Sequence, residues 1–181
     1  MSAVPMNHFL VLVAVGGDQP GLVNELTQTI LDCGGNIADS RMAVLGGEFA
    51  VLILLSGQWN AIAKLEQSLP RLEQKLGLTL ILRRTKERNL SKQLLPYAVE
   101  VVALDHPGIV HQLASFFAQR GINIEELATS SYAAAHTGTP MFSVRLSVAV
   151  PADLHIASLR DEFMDFCDRQ NLDAVMEPIR G

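Results

Sequence analysis

"DQPGLV" at residues 18–23 and "DHPGIV" at residues 105–110 write nearly the same turn twice, 87 residues apart. Each follows an apolar run and opens a helical pattern. Sliding the chain by 87 residues lays Asp18, Pro20, Gly21 and Val23 on Asp105, Pro107, Gly108 and Val110, and Asn36 and Ile37 on Asn123 and Ile124. Further along, "EFAVLIL" at 48–54 matches "MFSVRLS" at 141–147 only with an offset of 93. The added residues fall in "AAAHTGTP", 133–140, where the first copy has the tight "LGGE". The chain reads as a tandem duplication with one hairpin lengthened, and each repeat is large enough to be a domain.

Both copies predict the same order of elements. An apolar strand (8–16; 97–104) meets the Asp-x-Pro-Gly turn, and a helix follows (20–33; 107–120). Its apolar spacing is Val23, Leu26, Ile30 in one copy and Val110, Leu113, Phe117 in the other. Gly34-Gly35 and Gly121 end these helices. A strand pair comes next (36–45 with 48–56; 122–133 with 140–150), then a longer helix (59–76; 152–169) and a last strand (78–84; 172–178). Pro70 lies inside the first of these longer helices and predicts a kink or break there. The order βαββαβ predicts an α+β fold of two ferredoxin-like domains, each a four-stranded antiparallel sheet with two helices on one face. The expected domains are 1–86 and 97–181. They are joined by the polar stretch 87–96, within "TKERNLSKQLLP".

The bare faces of the two sheets differ. "FSVRLSV" (142–148) alternates as a half-solvated strand does, with Ser143, Arg145 and Ser147 outward. "FAVLILL" (49–55) does not. With Phe49, Val51, Ile53 and Leu55 inward, Ala50, Leu52 and Leu54 point out, and Val11, Val13 and Val15 share that face. An apolar patch of this kind implies a cover. The expectation is a second copy of the chain, making a homodimer through Val11, Val13, Leu52 and Leu54.

Charge and composition exclude several classes. The net charge is −5, spread along the chain, so direct binding of nucleic acid, which needs clustered Lys and Arg, is not expected. No apolar run approaches the ~18 residues of a membrane span, and the N-terminus has no basic region with a cleavage site. Cys33 and Cys167, one in each copy, read as buried thiols of a reducing cytoplasm. The histidines His8, His106, His111, His136 and His155 form no metal-ligand spacing, and no phosphate loop or nucleophile motif occurs, so neither metal, cofactor nor catalysis is expected. The acidic residues Asp161, Glu162, Asp165 and Asp168 follow a solvated helix face. The basic run Arg83, Arg84, Lys86, Arg88 and Lys92 reads as a connector.

The repeated turn has a structural use and a chemical one. Pro suits the first helical position, Asp can cap the first amides, and Gly suits a close backbone approach. The same free amides also suit a carboxylate, while an adjacent Asp suits an ammonium. Together they fit the two ends of a free amino acid. Asn36 and Asn123, expected near the turn, can donate to a carboxylate or simply satisfy local backbone.

The order βαββαβ with "DQPGLV…GGNI" and "DHPGIV…GINI" resembles ACT domains, over nearly the whole chain and in two copies. A bare tandem pair opening near residue 7 resembles the glycine cleavage system transcriptional repressor family. The resemblance implies an accessory repressor without a DNA-binding domain. It would act on a transcriptional activator by protein contact and respond to a small amino acid, glycine. It also implies a ligand between two modules, near Asp18, Gln19, Pro20, Gly21, Leu22, Asn36 and Ile37, and near Asp105, His106, Pro107, Gly108, Ile109, Asn123 and Ile124. The other reading is a stand-alone allosteric subunit of an amino-acid metabolic enzyme. Gln19 against His106 leaves open whether both copies bind.

Overall fold

The computed structural model describes residues 8–87 and 93–179. The chain divides into two compact units, Met1–Arg88 and Asn89–Gly181. In the first, β1 (His8–Gly17), α1 (Leu22–Asp32), β2 (Asn36–Leu45), β3 (Glu48–Gly57), α2 (Trp59–Leu76) and β4 (Thr79–Thr85) follow in order. In the second, β5 (Leu94–Leu104), α3 (Ile109–Gln119), β6 (Asn123–Ala133), β7 (Pro140–Pro151), α4 (Ile156–Arg169) and β8 (Asp173–Pro178) repeat it. The sheets have strand orders β2-β3-β1-β4 and β6-β7-β5-β8, with every neighbouring pair antiparallel. Each unit is the βαββαβ sandwich expected from the repeat.

Each core lies between the sheet and its helices. Alternate residues of β1 and β3 point into it, among them Leu10, Leu12, Phe49, Ile53 and Leu55. From α1 come Leu22, Leu26 and Ile30, one per turn. The helix therefore buries Leu22, and Val23, read as its first core residue, stands exposed. In α3 the same rotation buries Ile109, Leu113, Phe116 and Phe117, and Val110 only packs against the edge of the core. The second core is aromatic at its centre: Phe116 and Phe163 meet edge-to-face with ring centroids 5.2 Å apart, and Phe116 and Phe166 lie at 5.0 Å.

Two local expectations fail. Helix α2 runs unbroken through Pro70, which sits on its exposed side. The buried residues Ile62 and Leu65 before it and Leu72 and Leu76 after it anchor both halves to one core. The stretch read as a linker ends early, because Leu94, Leu95 and Pro96 already pair with Pro151, Val150 and Ala149 of β7. Residues 88–92 of that stretch, with Arg88 and Lys92, lie outside the described residues.

The hairpins differ as their sequences do. β2 and β3 join through Gly46-Gly47, with Gly46 at φ 66°. The longer tip of β6 and β7 is braced by its own bonds. Ala134 N donates to Thr139 O at 2.9 Å, and Gly138 N donates to Ala134 O at 2.8 Å. A β-bulge interrupts the register between Ile37 and Asp39, and another between Ile124 and Glu126.

Candidate functional site

Each unit makes one strand-to-helix corner. In the first, Asp18 N donates to Gly47 O at 3.0 Å, which ties the corner to the hairpin tip. In the second, Asp105 N donates to Pro140 O at 3.0 Å. The helices begin after Gly21 and Gly108, at φ 95° and 97°, the left-handed region that only glycine enters without strain. Nothing lies within 4 Å of where a Cβ would stand at either glycine. These glycines therefore serve backbone geometry, and the expected close approach is absent. Pro20 and Pro107 precede the cap residue and lie outside the helix, contrary to the placement read from sequence.

No side chain caps either helix start. Asp18 and Asp105, expected to cap, stand three residues before the glycine and remain exposed. Asp105 Oδ2 is 3.5 Å from Ser131 Oγ. Glu25 N reaches Gly21 O at 3.0 Å, and Gln112 N reaches Gly108 O at 2.9 Å, so the intrahelical ladder begins one turn in. Amides of the first turn are thus available beside a carboxylate.

The copies diverge at the second turn residue. Gln19 Nε2 donates to Leu76 O at 3.1 Å, which holds the corner to the end of α2. His106 Nδ1 lies 3.0 Å from Pro107 O and braces only its own turn. Leu22 and Ile109 send their side chains into the core, 3% and 1% exposed, and can offer a ligand only backbone. The second corner opens into a cavity of about 610 Å³ lined by Asp105 to His111 and Phe142. His111 and Phe142 were not read from the sequence as part of this site. Phe142 is brought there by the register that sets Ala103 opposite it.

The asparagines are not there. Asn36 pairs with Ser56, which pairs with Phe9 at the start of β1. Asp18 follows the far end of the same strand, about 27 Å away at ~3.4 Å per residue. Asn123 likewise pairs with Ala149 beside Pro96, while Asp105 follows Leu104. Crossing from α1 into β2 starts the new strand at the opposite pole of the sheet from the turn. Ile37 and Ile124 share that pole. Within one unit, then, corner and asparagine form two separate places.

The four residues read as an oligomer face do come together. Val11 pairs with Leu54 and Val13 with Leu52. Leu52 is 48% exposed, and Ile81, opposite Val13 on β4, is 51% exposed. In the second unit the corresponding face carries Arg145 and Glu100, paired at 3.3 Å.

Comparison with known proteins agrees with this architecture. The ACT domain model matches residues 8–82. The glycine cleavage system transcriptional repressor of Escherichia coli (strain K12) is 34% identical over 164 residues, which is 91% of this chain and 86% of that protein. The chain belongs to the glycine cleavage system transcriptional repressor family. A crystal structure provisionally named as a member of that family is 30% identical with a TM-score of 0.71, over 97% of this chain and 99% of the other. An unknown protein from Galdieria sulphuraria superimposes with a TM-score of 0.77 at 26% identity, over 97% of this chain and 100% of its own. Members of this repressor family are regulators and not enzymes. Among the described residues no helix is long and apolar enough to cross a membrane, and no cluster of His, Cys, Asp or Glu could hold a metal.

Proposed function

We propose that this protein is an amino-acid-responsive repressor of the glycine cleavage system, that it senses glycine, and that it acts on a transcriptional activator by protein contact. The naming of its Escherichia coli relative supports the regulatory role. A net charge of −5 supports action through a protein, because a phosphate backbone would repel it. The relative is a bacterial regulator, so the working compartment is the cytoplasm.

One observation carries the sensing role: two helix starts without a side-chain cap, each beside an exposed aspartate. The first-turn amides take the carboxylate of a zwitterion, and Asp18 or Asp105 takes its ammonium. Gln19 and His106 stand at the rim of this arrangement, with Pro20 and Pro107 fixing the turn. Leu22 and Ile109 hold the helix in place from the core. Asn36 and Asn123, with Ile37 and Ile124, lie at the far pole of their own sheets and reach a corner only from a second module. The corners stand without them. Binding then regulates by favouring one arrangement of the protein, limited by the difference in affinity between the two.

Isothermal titration with glycine tests this. Asp18→Ala and Asp105→Ala are each expected to weaken binding at their own corner about tenfold or more, as loss of a charge-assisted contact does. If neither variant changes the heat while both stay folded, the corners are not the receptor. Recovery of a DNA-binding activator from native extract supports the repressor reading, whereas recovery of a metabolic enzyme favours an allosteric subunit.

A further inference from the structure

We infer that the bare sheet face of the first unit is a self-complementary dimer interface, in which two copies meet about a two-fold axis parallel to the strands. The inference comes from the order of side chains across the face. One row reads Asp39, Leu54, Val11, Arg83 from β2 to β4. The next reads Arg41, Leu52, Val13, Ile81, and the one after it Ala43, Ala50, Val15, Thr79. Each row is apolar in the middle. The first carries an acid at one edge of the sheet and a base at the other.

A two-fold axis along the strands, midway between β3 and β1, keeps each row at its own height and reverses its order. Leu54 then covers Val11 of the second copy, and Leu52 covers Val13. Asp39 meets Arg83 on both sides of the dimer. Arg83 has no ion-pair partner among the described residues, while Asp39 is bound by Arg41. Arg83 thus extends an existing pair and does not compete with a closed one. Packed sheets lie within about 30° of parallel and about 10 Å apart, a gap that long side chains at the rim can span.

The second unit is a poor occupant for this face. Its own outer face centres on Arg145 and Glu100, and pressing that pair onto Leu52 and Val13 strips water from two charges. A second copy of the first unit keeps its charges, Asp39, Arg41 and Arg83, on the outer strands of the face and presents an apolar centre to Leu52 and Val13. Four strands ~4.8 Å apart and about seven residues long present roughly 400 Å² of flat area per copy. Two such faces fall near or below the ~1,200 Å² lower bound of stable interfaces. The dimer is therefore weak and concentration-dependent.

Sedimentation equilibrium of the full chain from about 1 to 100 μM is the test, a range that brackets micromolar affinity. The wild type is expected to move from monomer towards dimer across this range. Leu52→Lys with Leu54→Lys should remove the dimer while circular dichroism stays unchanged. Arg83→Asp places two acids face to face and should raise the dissociation constant about fivefold, as exposed pairs do. Asp39→Arg combined with Arg83→Asp should recover the wild-type value. That recovery is specific to the proposed axis, since a general loss of stability would not be reversed by a second change. A wild type that stays monomeric at 100 μM overturns the interface. A double lysine variant that keeps the wild-type mass also overturns it. If the charge-reversed pair is no better than Arg83→Asp alone, the axis is wrong.

Discussion

The two units share one backbone plan and use different side chains to fill and finish it. The first has an aliphatic core built on leucine and isoleucine, with Phe49 as its one large buried ring. The second stacks Phe116, Phe117, Phe163 and Phe166 between its helices. Outward, the first sheet shows Leu52 and Ile81, while the second shows a salt bridge. The corners, by contrast, keep the same glycine dihedral within 2°, from 95° to 97°. The difference teaches which constraints are strict. A left-handed residue before a helix has essentially one chemical solution. A core has many, provided its volume is filled.

This contrast can be broken experimentally. Truncation of Phe163 to alanine should have the largest effect, because the ring is fully buried and packs with three other rings. The expected loss is about 3–5 kcal/mol in the second unit, read from chemical denaturation. A loss below about 1 kcal/mol would mean that the aromatic cluster is loosely packed and the units are more alike than they look.

Next come the corners. Gly21→Ala and Gly108→Ala should each cost about 1–2 kcal/mol, from backbone strain alone, since the added methyl meets open space. Equal losses would confirm that the corners are interchangeable. A clearly larger loss at Gly21 would show that the tie from Gln19 to α2 makes the first corner more rigid.

The smallest effect concerns the thiols. Burial, with Asp168 adding to it, pushes Cys167 up to about 12. Its folded value thus lies above the ordinary value near 9. The native state binds the proton more tightly, so this contribution is complete below about pH 9 and fades as pH rises towards 12. At pH 10 the second unit should be weaker by about 1 kcal/mol than at pH 8, an increment that Cys167→Ala abolishes. In the native protein Cys33, half-buried at the end of α1, should react with a thiol reagent while Cys167 does not.

The repeat made most of the fold legible. Strand and helix positions follow from apolar periodicity, and the duplicated turn fixed where each helix begins to within two residues. Pro70 misled because the rule describes an isolated helix, and a stripe buried on both sides of the proline outweighs one missing amide. The helix phase was read one residue late, at Val23 and Val110, because both neighbouring positions are apolar and periodicity alone cannot separate them. The site was legible only in part. Gly21, Gly108 and the exposed aspartates could be placed from the motif. The asparagines could not, since strand polarity, and with it the pole at which each asparagine lies, is a property of the sheet and not of the motif. Nor could the motif show that His111 and Phe142 line the second corner.

The bulges have one more consequence. Each sits two residues into the strand that follows the first helix, in both halves of the chain. The extra residue turns the rest of that strand over, so that Asp39 and Arg41 face outward and Met42 and Val44 face the helices. A kink held in common by two halves with dissimilar outer surfaces answers to the backbone plan they share and not to what each sheet faces, so the outer residues can be exchanged while the bend stays.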